Sequence, residues 1–262
     1  MLPQRPSTFT IVPAIDLRAG RVVRLERGDF RRERVFNDDP AGVAAAFAGQ
    51  GASWIHVVDL DGARDGARRQ VEAIGSIAEA LRKLPVRIEI AGGLRDEPAI
   101  GAALASGADR AVLGTAAITT PDVVAEAVTL FGAERIAVAL DVRDGQAVGD
   151  GWVSGAARRP AMDVLANLAD AGVATVIVTA IERDGLLGGP NLDLLARCAE
   201  ATHADVIASG GIRSIEDLVA VRDVGCAGAI VGRALYDGRL DLGSAIETMA
   251  TAGAIARAQP IA

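Results

Sequence analysis

The chain has 262 residues and a formal net charge of −7; half of the residues are apolar, and only 3% are aromatic. That length buries a substantial core, while the acidic balance and scarcity of stacking side chains argue against a nucleic-acid partner or a membrane surface. An anionic small molecule remains compatible, because local donors rather than net charge decide what a pocket binds.

In chain order, the opening "MLPQRPSTFT" lacks the apolar core of a signal peptide, and no run reaches membrane-spanning length. The expectation is a soluble cytoplasmic protein. The first strand run is "IVPAI" (11–15), and it meets a carboxylate, Asp16, which is costly to bury unpaired. Segment 17–39 is rich in charge and arginine and reads as a loop over a site. A helix pattern over 40–50 leads to the second strand, "WIHVV" (54–58), and the pattern over 69–84 to the third, "VRIEI" (86–90). Helix 97–107, strand "RAVL" (110–113) and helix 121–132 complete the first half. The second half repeats the order: strand 135–140, helix 161–172, strand 174–179, helix 191–202, strand 204–208, helix 214–225, strand 228–232 and a last helix near 241–255. Eight strand–helix pairs predict an α/β fold, a closed (β/α)₈ TIM barrel. The rival doubly wound sheet calls for a glycine-rich fingerprint after the first strand, and none is present.

The halves echo each other. "IEIAGGLRD" (88–96) returns as "VIASGGIRS" (206–214), "AVLGTAA" (111–117) as "AIVGRAL" (229–235), and "VPAIDLRAG" (12–20) as "AVALDVRDG" (137–145). We read one domain over 1–262, built of half-barrels at about 11–134 and 135–255 with a pseudo-twofold relation.

In such barrels the C-terminal ends of the strands carry the active face. Asp16 and Asp141 then sit opposite each other at a solvent-accessible mouth, with Asp59 and Asp184 on the same rim. Mutual repulsion and desolvation raise the proton affinity of one carboxyl while a neighbour stays ionised, which divides acid and base work. The plain reading of a single strand-end aspartate is a helix cap; the matched pair favours chemistry.

Glycine pairs Gly92–Gly93 and Gly210–Gly211 end two strands, and Gly114 and Gly232 end the strands that follow. Glycine lets amide N–H groups approach an anion closely, and a helix start adds donors. Each half therefore offers one phosphate site, with Thr115 as a hydroxyl donor and Arg95 and Arg213 as possible partners of the anions. Two such sites call for an elongated ligand phosphorylated at both ends, its middle near the aspartates. Cys198 and Cys226 read as buried thiols of a reducing compartment. His56 and His203 read as structural histidines, and no metal cluster is expected.

"VPAIDLRAGRVVRL", "HVVDLDGA", "GGLR", "ALDVR", "RDGLLGGPNLDLL", "ASGGIRS" and "AIVGRAL" together resemble the ProFAR isomerase family of histidine biosynthesis, from about residue 11 to about 250. The resemblance implies a cofactor-free Amadori rearrangement of an N-linked aminoaldose ribotide to the aminoketose, on a bisphosphorylated small molecule, by a protein expected to be monomeric. It implies Asp16 as proton acceptor at the sugar C2, leaves the donor open between Asp141 and Asp184, and places Thr179 in the same site. Arg24, Gly185 and Arg233 fall in matched stretches and complete the substrate-binding set. Ala180 and Leu186 depart from the family pattern at the rim after the sixth strand.

Three alternatives remain. The bifunctional isomerase that also acts on phosphoribosylanthranilate carries an arginine two residues before a loop tryptophan; here Asp150 precedes Trp152, the lid candidate, and a carboxylate does not replace a guanidinium toward an anion. The cyclase subunit of imidazole glycerol phosphate synthase carries a cysteine before its first aspartate and a lysine in "GRVVKG", where this chain has Ala14 and Arg24. The third is a non-catalytic barrel that binds phosphorylated sugars.

Overall fold

Side chains of an extended chain alternate between two faces, and the run around Asp16 obeys this as β1 (Thr10–Arg18). Ile11, Ile15 and Leu17 join one buried apolar cluster, whereas Val12 and Ala14 join a second, smaller one that includes Ile177, Ile207 and Ile230 of distant strands. The first cluster lies between sheet and helices; the second fills the inside of a barrel. The protein is described from a computed structural model covering residues 9–26, 29–149 and 155–258, the side chains of 252–258 excepted.

Eight parallel strands close the ring. After β1 come β4 (Trp54–Asp59), β5 (Arg87–Ala91), β6 (Arg110–Leu113), β7 (Ile136–Arg143), β10 (Thr175–Ala180), β11 (Asp205–Ser209) and β12 (Gly228–Val231). Each pairs with the next, and β12 returns to β1 with Thr10 opposite Gly228. Helices alternate with them: α1 (Pro40–Gly49), α3 (Val71–Leu81), α4 (Glu97–Ala105), α6 (Asp122–Phe131), α7 (Ala161–Asp170), α8 (Leu192–Ala201), α9 (Ile215–Asp223) and α11 (Leu242–Ala258). The expected (β/α)₈ barrel is the observed fold. Several helix starts are fixed by side-chain caps, such as Asp96 accepting from the Ala99 amide and Asn191 from that of Leu194. Among the described residues no helix is long and apolar enough to cross a membrane.

Segment 17–39 departs from the expected loop. It is a hairpin of β2 (Arg21–Glu26) and β3 (Asp29–Asn37), antiparallel to the end of β1, with Asp16 opposite Val23. The turn places Ala19 and Gly20 at φ 48° and 76° between paired Arg18 and Arg21, the backbone of a two-residue hairpin. Val22, Val23 and Leu25 are buried, which anchors the ribbon despite its arginines. A matching turn at Asp144 and Gly145 leads from β7 into β8 (Gln146–Val148), which pairs with β9 (Arg158–Pro160). Short helices α2 (Leu60–Asp65), α5 (Ala116–Thr119) and α10 (Arg233–Tyr236) follow three of the barrel strands.

Candidate active site

The inward positions of the barrel carry small side chains such as Ala14, Ala91 and Ala139, so the strand ends leave a cavity of about 200 Å³ that opens to solvent. Asp16, Asp141, Thr179 and Asp184 all line it. The first three follow from the two-residue period of their strands: Asp16 continues the inward series Val12 and Ala14, Asp141 follows Ala139, and Thr179 follows Ile177. Register ties them together, since Thr179 lies opposite Asp141 across the β7–β10 pair. Asp184 arrives from the loop after β10.

Asp16 is not solvated at an open mouth, as the sequence suggests. It is 9% exposed and forms an ion pair with Arg24 of β2. The hairpin is the reason: its first strand, β2, pairs with the end of β1 and carries the guanidinium over the carboxylate. Burial works against the charge of Arg24, but Asp16, then Asp184 and Tyr236, raise its proton affinity overall. Asp184 shows the opposite balance. Desolvation, reinforced by the Asp16 and Asp141 charges, lifts its carboxyl to about 6, against the pull of Arg24 and of the Gly185 amide. One carboxyl is thus paired with a cation while its neighbour holds a proton close to neutrality.

Gly92, Gly93, Gly114 and Thr115 line the same cavity at one side, with Arg95. A second, smaller cavity beyond Arg24 and Asp184 is lined by Gly185, Gly210, Gly211, Gly232 and Arg233. Arg24, Asp184, Ser209 and Ile230 border both. The glycine pairs are required by the backbone: Gly92 and Gly93 have φ 103° and 73°, Gly210 and Gly211 88° and 85°. A Cβ on Gly93 would also lie 2.6 Å from the Ala67 carbonyl carbon. The helices behind the two sites, α5 and α10, are single turns, so their donors are loop amides rather than a long macrodipole.

Other residues singled out from the sequence are placed elsewhere, for evident reasons. Asp59 is fully buried and caps α2, accepting from the amides of Gly62 (2.6 Å), Arg69 (2.6 Å) and Gln70 (2.9 Å), so it is not an acid of the rim. Arg213 bonds Asp217 at 3.1 Å and lines neither cavity. In its stead Arg233 reaches the second site, donating to the Gly185 carbonyl at 2.7 Å and to Asp237 at 2.9 Å. Trp152, like Asp150, lies outside the described residues. Among the described residues no group of three or more His, Cys, Asp or Glu is arranged to hold a metal ion.

The model of the histidine biosynthesis protein family matches residues 10–241, the whole barrel up to the start of its last helix. The chain belongs to that family. A relative from Rhodopseudomonas palustris is 47% identical over 247 residues, 93% of this chain and 99% of its own. One from Symbiobacterium thermophilum is 46% identical over 242 residues, 90% and 95% of the two chains. A third, from Geobacillus thermodenitrificans, is 43% identical over 246 residues, 93% and 98%. All three are named 1-(5-phosphoribosyl)-5-((5-phosphoribosylamino)methylideneamino)imidazole-4-carboxamide isomerase.

Against that family background, one residue and one pairing gain weight that sequence reading missed. His56, read as structural, borders the main cavity beside Ala14 and Asp16. Its place was available from the alternation of "WIHVV", which puts Trp54, His56 and Val58 on one face. The Arg24–Asp16 pair was hidden because the charge-rich hairpin did not read as strands.

Proposed function

We propose that this histidine biosynthesis protein is the ProFAR isomerase, converting the N-linked aminoaldose to the aminoketose by aspartate acid–base catalysis. The observation that carries the reading is that Asp16 and Asp184 line a cavity flanked by Gly92, Gly93 and Gly114, while Asp184 and Arg24 also border a second cavity lined by Gly185, Gly210, Gly211 and Gly232. A ligand with a phosphate at each end fits that layout, and the names of the relatives agree with it.

Opening the ribose ring needs a proton at the ring oxygen. Asp184 supplies it, since its raised proton affinity keeps it partly protonated near neutral pH. The open-chain imine then loses its C2 proton to Asp16, and the resulting enolamine relaxes to the ketone by proton return at C1. Asp141 and Thr179 orient the sugar between them. The amides around Gly92, Gly93, Gly114 and Thr115 receive one phosphate; those of Gly185, Gly210, Gly211 and Gly232, with Arg233, receive the other. Arg24 borders both pockets, so its guanidinium, paired with Asp16, stands between the two ends of the ligand. The two clamps fix the reactive carbon by remote binding energy.

The test is direct. Purified protein is incubated separately with the aminoaldose and with phosphoribosylanthranilate, and products are followed spectroscopically. Conversion of the first supports the proposal; no conversion of it overturns the reading.

A further inference from the structure

Beneath the aspartates, the barrel interior holds a buried ionic chain that acid–base catalysis by aspartates does not call upon. Glu89 of β5 is 1% exposed. One carboxylate oxygen meets His56 Nδ1 at 2.6 Å; the other accepts two N–H groups of Arg110, one of them Nε at 2.9 Å. Arg110 in turn donates to Thr175 Oγ1 at 3.0 Å and lies over the Trp54 ring, 4.2 Å from its centroid. Strand register sets this chain up, because His56, Glu89 and Arg110 are direct neighbours across β4, β5 and β6. A buried carboxylate between an imidazole and a guanidinium costs desolvation that an apolar core would avoid, and of this chain of residues His56 is the one that borders the cavity.

We propose that Glu89 is a positioning residue of the isomerase: it fixes the His56 ring with its proton on Nδ1, so that Nε2 faces the cavity and binds a sugar hydroxyl of the substrate. The chemistry is constrained. A carboxylate only accepts, so the nitrogen it meets must carry hydrogen, and in the uncharged ring the lone pair then resides on Nε2. Nε2 is also the one ring nitrogen left to face the cavity that His56 borders. Burial opposes the Glu89 charge, yet the His56 and Arg110 contacts hold its carboxyl below the ordinary glutamate range.

The substitution Glu89→Gln inverts this arrangement. Arg110 has donors only, so the amide oxygen turns to Arg110 and the amide NH₂ turns to His56. Nδ1 must then accept, and the proton moves to Nε2. The catalytic consequence rests on the isomerase reading above; the tautomer does not.

The chain has two histidines, and His203 is exposed, so the His203→Gln protein leaves one imidazole for ¹⁵N NMR. Above the histidine titration range, the ring is expected as Nδ1–H in the His203→Gln protein and as Nε2–H once E89Q is added. In turnover, E89Q is expected to lower kcat by about 10²-fold with a smaller change in KM. Thr175→Val, which weakens the same chain away from His56, lowers the melting temperature and leaves kcat unchanged. An Nε2–H ring before substitution, or a folded E89Q protein with unaltered tautomer and kcat, overturns the proposal. Should E89Q fail to fold, Glu89→Asp takes its place under the same criteria, since it keeps a charge for Arg110 and withdraws the acceptor from Nδ1. If the unsubstituted protein does not turn over the aminoaldose, the isomerase reading fails while the tautomer result still decides the role of Glu89.

Discussion

The guanidinium of Arg24 lies against the α-carbon of Gly232, so close that a Cβ there would overlap its Nη2. The same guanidinium pairs with Asp16, so a backbone atom on the last barrel strand's loop and a carboxylate on the first strand are joined by one side chain. Glycine at 232 gives the guanidinium its room.

Gly232→Ala should therefore act on the site more than on the fold. The overlapped atoms are the free end of a long side chain, which moves at little cost, so the melting temperature is expected to stay close to that of the unsubstituted protein. Arg24 is pushed off Asp16, and kcat/KM falls by roughly 10- to 10²-fold. Steady-state kinetics and thermal melts on the same preparation check this. A large loss of stability with normal turnover would contradict it.

Asp184→Asn separates stability from activity. The folded protein holds this proton up to about 6 against an ordinary 3.8, so the folded state binds more protons than the unfolded one across that window. Stability from this group is then present at low pH and lost as pH rises through the window, a cost on the order of 3 kcal/mol above it. The asparagine variant avoids that cost. It is expected to melt at a higher temperature than the unsubstituted protein well above pH 6, to show little difference below pH 4, and to isomerise at least about 10²-fold more slowly.

Asp16→Asn removes the proposed base and leaves both phosphate pockets intact. Turnover should drop by about 10²–10⁴-fold, while a bisphosphorylated product analogue still binds by calorimetry. Normal turnover in this variant would remove Asp16 from the mechanism.

Asp59→Asn is expected to be a folding defect. Its carboxylate accepts three amides, two of them in fully buried hydrogen bonds, and an amide group in its place turns donors toward donors, at a cost of about 2–3 kcal/mol. Chemical denaturation should show that loss. Turnover per folded molecule should remain, in contrast to Asp16→Asn.

The strands were legible because each is a short apolar run punctuated by glycine, and the barrel follows from their number and alternation with helices. The convergence of Asp16 and Asp141 was legible too, since each occupies an equivalent late position on its strand, whereas Thr179 entered only through the family resemblance. Less legible was the hairpin after β1. Its turn uses Ala19 rather than the usual asparagine or aspartate, and its strands expose many arginines, so neither the turn chemistry nor the apolar period announced it.

By itself, the sequence determined which residues point inward, because the two-residue period of a strand is a local property. It likewise determined where glycine must stand, because positive φ excludes most side chains. Only the tertiary structure decided the electrostatics. Whether Asp16 is solvated or paired, whether Asp59 is an acid or a cap, and which group His56 meets depend on residues 8 to 33 positions away in the chain. Ionisation responds to burial and to charges a few ångströms off, and those distances exist only once the ring has closed.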